Sequence, residues 1–84
     1  MNLIIYSKPD CCLCDGLLQK LEQIQDLDIS LEIRDITTDP NWFDKYQYEV
    51  PVLCILRANK ERELPRLSPR SSVIKLKEML SIYN

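Results

Sequence analysis

The apolar residues switch between continuous runs, strict alternation and three-to-four spacing, and each switch marks an expected element. Leu3 to Tyr6 is a short unbroken apolar run of the kind that fills a central strand buried on both faces. It ends at Ser7-Lys8-Pro9, because Pro9 cannot continue a ladder. Asp10 is then a fair N-cap, and from Leu13 the positions Leu17, Leu21 and Ile24, joined by Leu18, recur at helical spacing through about Gln25. Ile29, Leu31 and Ile33 alternate with Ser30, Glu32 and Arg34, the period-two pattern of a strand with one covered face. Strand, helix, strand implies a right-handed crossover and parallel pairing of the first two strands.

Asp39-Pro40 opens a short helix containing Trp42, Phe43 and Tyr46, and Val50 to Arg57 reads as a third, strongly buried strand. Ala58-Asn59-Lys60-Glu61 is a polar turn, so the weaker strand expected over Arg62 to Leu67 runs antiparallel to the third. Ser68 and Pro69 supply an N-cap and a first-turn proline for a final helix with Val73, Leu76, Leu80 and Tyr83 on one face. The expected order is βαβαββα, an α/β chain with one layer of four-stranded mixed sheet and helices on both faces. No linker, repeat or low-complexity stretch divides it, so residues 1–84 are expected to form one domain. Gly16, the only glycine, falls within the first turns of the first helix, where close packing against a neighbouring element is the expected reason for it.

At 84 residues the chain can build a single small core with little margin. Disulfide staples do not supply the shortfall, since Cys11, Cys12 and Cys14 are too close together to close stabilising loops. The amino terminus lacks a charged segment followed by a long apolar one, so neither a signal peptide nor a membrane span is expected, and the cytoplasm is the expected location. A net charge of −2 argues against nucleic acid or an anionic membrane as partner. The charge is uneven: Arg57, Lys60, Arg62, Arg66, Arg70, Lys75 and Lys77 face only Glu61 and Glu63 over that segment. These are either solvated surface charges or a patch that receives an acidic ligand.

Cys11 and Cys14 form a C-x-x-C pair where the first strand turns into the first helix. Unpaired N–H groups and the positive end of the helix dipole favour a thiolate at such a place, which gives the pair a redox reading. The same spacing also occurs in zinc sites and in inert chains. Zinc needs four ligands, however, and the chain has no histidine; the other cysteines are Cys12, inside the motif, and Cys54, within the apolar run Val52-Leu53-Cys54-Ile55-Leu56. Cys54 therefore reads as a small buried side chain, and no metal site is expected. Cys11, nearer the helix start, is the candidate nucleophile and Cys14, one turn deeper, the candidate resolving thiol. Lys8 is either a plain solvated lysine or a charge that lowers the thiolate pKa, with Asp10 and Asp15 acting in the opposite sense. Cys12 is expected to be a spectator, since a bond to its neighbour Cys11 would demand a strained ring.

Over nearly its whole length the chain resembles the glutaredoxin-like members of the thioredoxin-fold superfamily. The resemblance is carried by Tyr6-Ser7-Lys8-Pro9 with the Cys11 and Cys14 pair, by Asp35 and Asp39-Pro40, by Tyr46, and by Val50-Pro51-Val52. It implies a cis Pro51 beside the reactive cysteine, with Val50 offering main-chain groups to an extended substrate. From the residues alone Pro51 could as well open the strand in trans. The resemblance further implies a thiol–disulfide oxidoreductase that reduces protein disulfides or glutathione mixed disulfides, with glutathione as co-substrate. No cofactor is expected to be bound, and electrons would come from glutathione or a thioredoxin-type reductase to a chain expected to be a monomer. One departure bears on the substrate: glutathione-using members carry a glycine pair and an acidic residue before the last helix, where this chain has Arg66-Leu67-Ser68-Pro69-Arg70. Arg66 and Arg70 could still receive a carboxylate there. Two other readings remain beside the enzyme, a redox-silent adaptor of the same fold and a metal or iron–sulfur relative.

Overall fold

A computed structural model describes residues 1–83 as β1 (Asn2–Ser7), α1 (Cys12–Glu22), β2 (Ser30–Asp35), α2 (Pro40–Tyr46), β3 (Val52–Arg57), β4 (Lys60–Glu63) and α3 (Val73–Tyr83), with a 3-10 turn over Ile36–Thr38 before α2. The sheet order is β2-β1-β3-β4; β1 pairs parallel with β2, and the β1–β3 and β3–β4 pairs are antiparallel. The α/β architecture, the element order along the chain and the β1–β2 and β3–β4 pairings are those expected from the pattern; the antiparallel β1–β3 pairing, which sets the sheet order, is added by the structure. No helix among the described residues is long and apolar enough to cross a membrane.

Because side chains alternate across a strand, β1 feeds two separate cores. Leu3 and Ile5 join Leu21 of α1, Ile24 just after it, Leu53 and Ile55 of β3, Leu64, and Leu76, Met79 and Leu80 of α3. Ile4 and Tyr6 face the other way, toward Ile36, Tyr46, Val52 and Cys54, with Trp42 packed against them. On this second face Tyr6 stacks on Tyr46 at 4.5 Å and meets Trp42 edge-on at 5.8 Å. The Tyr6 hydroxyl donates to Glu61 Oε1 at 2.7 Å and accepts from Arg34 Nη1 at 2.9 Å, and Arg34 also donates to Glu61 and pairs with Glu32. The buried phenol is thus satisfied, and burial together with the Glu61 carboxylate pushes its pKa well above the usual tyrosine range.

Four details differ from the pattern reading. The β3–β4 turn is only Ala58-Asn59, both with positive φ, at 51° and 64°. Such a two-residue turn matches the twist of the strands, so Lys60 already pairs with Arg57, and β4 covers Lys60–Glu63 where the pattern predicts Arg62 to Leu67. α3 begins at Val73, with Ser72 Oγ accepting the Lys75 N–H at 3.1 Å. Ser68 instead caps a separate turn, accepting the Arg70 N–H on Oγ and the Ser71 N–H on its carbonyl. Ile33 sits on the same side as Leu31 but on edge strand β2, and it is 57% exposed.

Three cations of the basic segment have separate partners. Lys77 pairs with Asp26, Arg62 lies over the Tyr83 ring, and Arg66 donates to a backbone carbonyl.

Candidate functional site

Tyr6 near the end of β1 pairs with Val52 at the start of β3. The turn leading into α1 and the connection from α2 to β3 therefore open at one end of the sheet. The first carries the cysteine pair and the second carries Val50-Pro51, whose peptide bond is cis.

Asp10 takes a left-handed step (φ 60°), a conformation that aspartate tolerates better than most residues. Cys11 then stands at the N-cap, the place expected of Asp10. Its Sγ accepts the Cys14 N–H at 3.3 Å and its carbonyl accepts the Asp15 N–H at 3.1 Å. A sulfur in the capping position receives a hydrogen bond and the positive end of the helix together, and both favour negative charge on it. The helical advance of three residues brings the Cα atoms of Cys11 and Cys14 to 5.3 Å, and their sulfurs are joined as a disulfide. Cys14 is buried at 2% exposure, Cys11 is partly exposed, and Cys12 is exposed.

Cys54 is free and 3% exposed in the second core. Burial pushes its thiol up to about 11, with Glu61 and Glu63 acting in the same direction. It fills space, as its apolar run implied. No group of three or more metal-ligating side chains occurs among the described residues.

The other residues singled out from sequence divide into two sets. Lys8 Nζ reaches the Gln47 carbonyl at 3.4 Å and Arg66 Nη1 the Glu49 carbonyl at 2.6 Å, so both tie down the segment that leads to Pro51. Within that segment the Val50 N–H donates to the Tyr46 carbonyl at 3.1 Å. Arg70 is exposed in the Ser68–Ser71 turn.

Beside the disulfide lies a cavity of about 380 Å³ between α1 and the β4–α3 connection. Cys12, Leu13 and Pro51 border it at the cysteine end, and Leu17, Leu64 and Met79 are among its apolar walls. Pro51 and Arg66 line it, while Lys8, Val50, Arg70 and the two bonded cysteines, Cys11 and Cys14, do not, so the cavity reaches the disulfide only through its neighbours Cys12, Leu13 and Pro51. Sequence reasoning missed this cavity. The one signal pointing to it was Gly16, which also lines it: a Cβ built there meets nothing within 4 Å, so the expected close packing is absent.

A family model described as Glutaredoxin-like domain (DUF836) matches residues 2–81. No curated protein matches the sequence. Among solved structures, the chain is similar to thioredoxin 1 from the thermophilic eubacterium Thermosipho africanus TCF52B, with 22% identity over 99% of this chain and 93% of that one and a TM-score of 0.68. It is also similar to protein XcR50 from X. campestris. The X-ray structure of XcR50 gives 25% identity, coverage of 95% and 96%, and a TM-score of 0.67. Its solution structure gives 28% identity, coverage of 98% and 95%, and a TM-score of 0.64. The thioredoxin likeness speaks for the fold, and the family match over almost the whole sequence decides the rest: the chain belongs to the glutaredoxin-like family and carries a thioredoxin-like fold.

Proposed function

We propose that the chain is a thiol–disulfide oxidoreductase that reduces disulfides by dithiol exchange, with Cys11 as nucleophile and Cys14 as resolving thiol. The observation that carries this reading is the Cys11–Cys14 pair at bonding distance on the start of α1, with Cys11 partly exposed and Cys14 buried behind it. In the reduced protein the Cys11 thiolate attacks one sulfur of the substrate, and the substrate S–S bond breaks. The departing thiolate takes a proton from water. Cys14 then loses its proton and attacks Cys11 Sγ, which expels the second half of the substrate as a thiolate and leaves the pair oxidised. Two electrons pass to the substrate, and glutathione or a dithiol reductase returns them. A reducing compartment such as the cytoplasm suits that cycle.

An adaptor without chemistry has no need of two thiols placed this way, which favours the enzyme. The test is a coupled assay in which glutathione and its reductase regenerate the protein while it reduces bis(2-hydroxyethyl) disulfide, with insulin reduction by dithiothreitol run in parallel. Turnover in either assay that Cys11→Ser removes is the expected result. Wild-type protein no better than buffer in both assays would overturn it.

A further inference from the structure

We infer that the cavity beside the disulfide binds the non-reacting arm of the substrate, and that this substrate is a low-molecular-weight disulfide whose arms are unbranched aliphatic chains ending in a carboxylate. The inference rests on the oxidoreductase reading and names its substrate class.

Glycine inside a helix is unfavourable relative to alanine, because it gives up more backbone freedom on folding. A compensating reason is usually a positive φ or a close approach, and Gly16 has neither. What its missing side chain does leave is open volume on the face of α1 that lines the cavity, one helical turn from Cys12. Any larger residue would project into that space.

Leu17, Leu53, Leu64, Leu67, Leu76 and Met79 make the cavity apolar, and about 380 Å³ is within the range of small-ligand sites. Lys20 and Arg66 bring two positive charges to the lining against the single carboxylate of Glu63. Lys20 Nζ donates to the Pro69 carbonyl and Arg66 Nη1 to the Glu49 carbonyl, and each cation keeps further N–H donors for an anion. An aliphatic body with a negative end complements that arrangement.

A small molecule suits the site better than a peptide does. The resemblance implies an extended peptide that pairs with the main-chain groups of Val50, but the Val50 N–H is already given to the Tyr46 carbonyl, so that donor is not free for it. An aliphatic arm needs no such partner. With the arm in the cavity, the substrate sulfur lies toward Cys11 at the end bordered by Cys12, Leu13 and Pro51, and exchange proceeds by the balanced steps given above.

The experiment uses the reduced full chain as sole reductant and follows its oxidation in a single turnover. The substrates are bis(2-hydroxyethyl) disulfide, the disulfides of 3-mercaptopropionate, 6-mercaptohexanoate and 8-mercaptooctanoate, and leucine-flanked peptide disulfides. Each buried methylene is worth about fourfold, so the hexanoate compound should react on the order of fiftyfold faster than the propionate one. Octanoate, which has no sulfur, should compete, and it should shift the methyl resonances of Leu64, Leu67 and Met79 in the oxidised protein. In Gly16→Leu, with folding checked by thermal melting, the rate ratio between long and short disulfides should collapse toward one and the octanoate shifts should vanish. Rates independent of chain length, with no octanoate shifts in the wild type, would overturn the inference. A preference for leucine-flanked peptide disulfides over the alkyl series would also overturn it, in favour of a protein substrate. Bound octanoate without reduction of any disulfide would instead overturn the oxidoreductase reading and leave the ligand class of the cavity standing.

Discussion

The two faces of the sheet are built on opposite terms. On the α2 face, Tyr6, Tyr46 and Trp42 interlock, Arg34 and Glu61 satisfy the Tyr6 hydroxyl, and Cys54 sits among them as a protonated thiol. On the α1/α3 face, an equally apolar core gives way near the cysteines to an open cavity with a glycine in its wall. A domain this small has little stability to spare, so the well-packed face matters all the more where the other stays open. The two most buried thiols make the same point. Cys14 and Cys54 are almost equally hidden, yet only Cys14 has a sulfur partner, because only it lies one helical turn from a cysteine at a helix start.

This contrast can be broken from either side. The largest expected effect is on the open face: Cys11→Ser should lower disulfide reduction to background, a loss on the order of a thousandfold or more, with the melting temperature of the reduced protein nearly unchanged. On the closed face, Ile36→Ala should cost about 2–5 kcal/mol in urea unfolding, since Ile36 is fully buried. Whatever protein remains folded should keep its exchange rate. Tyr6→Phe should cost less, about 0.5–1.5 kcal/mol, because Arg34 and Glu61 remain paired with each other once the hydroxyl is gone.

Cys54 gives a pH signature of the same face. Its thiol holds its proton to about 11 in the folded chain and ionises near the ordinary 9 when unfolded. The folded state therefore binds more protons between these values, and stability must fall as pH rises from 9 to about 11. Subtracting the profile of Cys54→Ala from that of the wild type should reveal this fall. The smallest effect returns to the open face: Gly16→Ala should raise stability by about 0.5–1 kcal/mol, because the added methyl meets no neighbour. A loss of stability there would mean that the glycine is required by packing after all.

The elements with the strongest local signals were legible in the sequence. The unbroken run Leu3–Tyr6 became β1, Asp39-Pro40 did open α2 with the Asp39 carboxylate accepting the Asn41 and Trp42 N–H groups, and the strand–helix–strand order gave the parallel pair. The differences arose where two local signals competed. Ser68-Pro69 and Ser72 both suit a helix start, but the earlier pair is engaged elsewhere, Ser68 in its own turn and Pro69 by the Lys20 hydrogen bond made across the fold. Ala58 gives no hint that it adopts a positive φ, so the tight hairpin and the register of β4 were not readable. Asp10 is a better N-cap by composition than Cys11, yet the chain spends it on the left-handed step that aims the sulfur.

The cysteine pair itself was legible because helical spacing alone fixes its geometry. The cavity was not, since its walls come from α1, β3, the β4–α3 connection and α3, and no periodicity links them. Lys8 and Arg66 carried a signal of charge without one of role; their contacts with the Gln47 and Glu49 carbonyls exist only once the loops meet.

The central claim is that Cys11, and not its exposed neighbour Cys12, is the attacking sulfur. Reduced Cys14→Ser protein treated with bis(2-hydroxyethyl) disulfide, quenched in acid and mapped by peptide mass should carry the hydroxyethylthio adduct on Cys11, and the same treatment of wild-type protein should leave a Cys11–Cys14 disulfide with no adduct. An adduct on Cys12 with Cys11 still free would contradict the account.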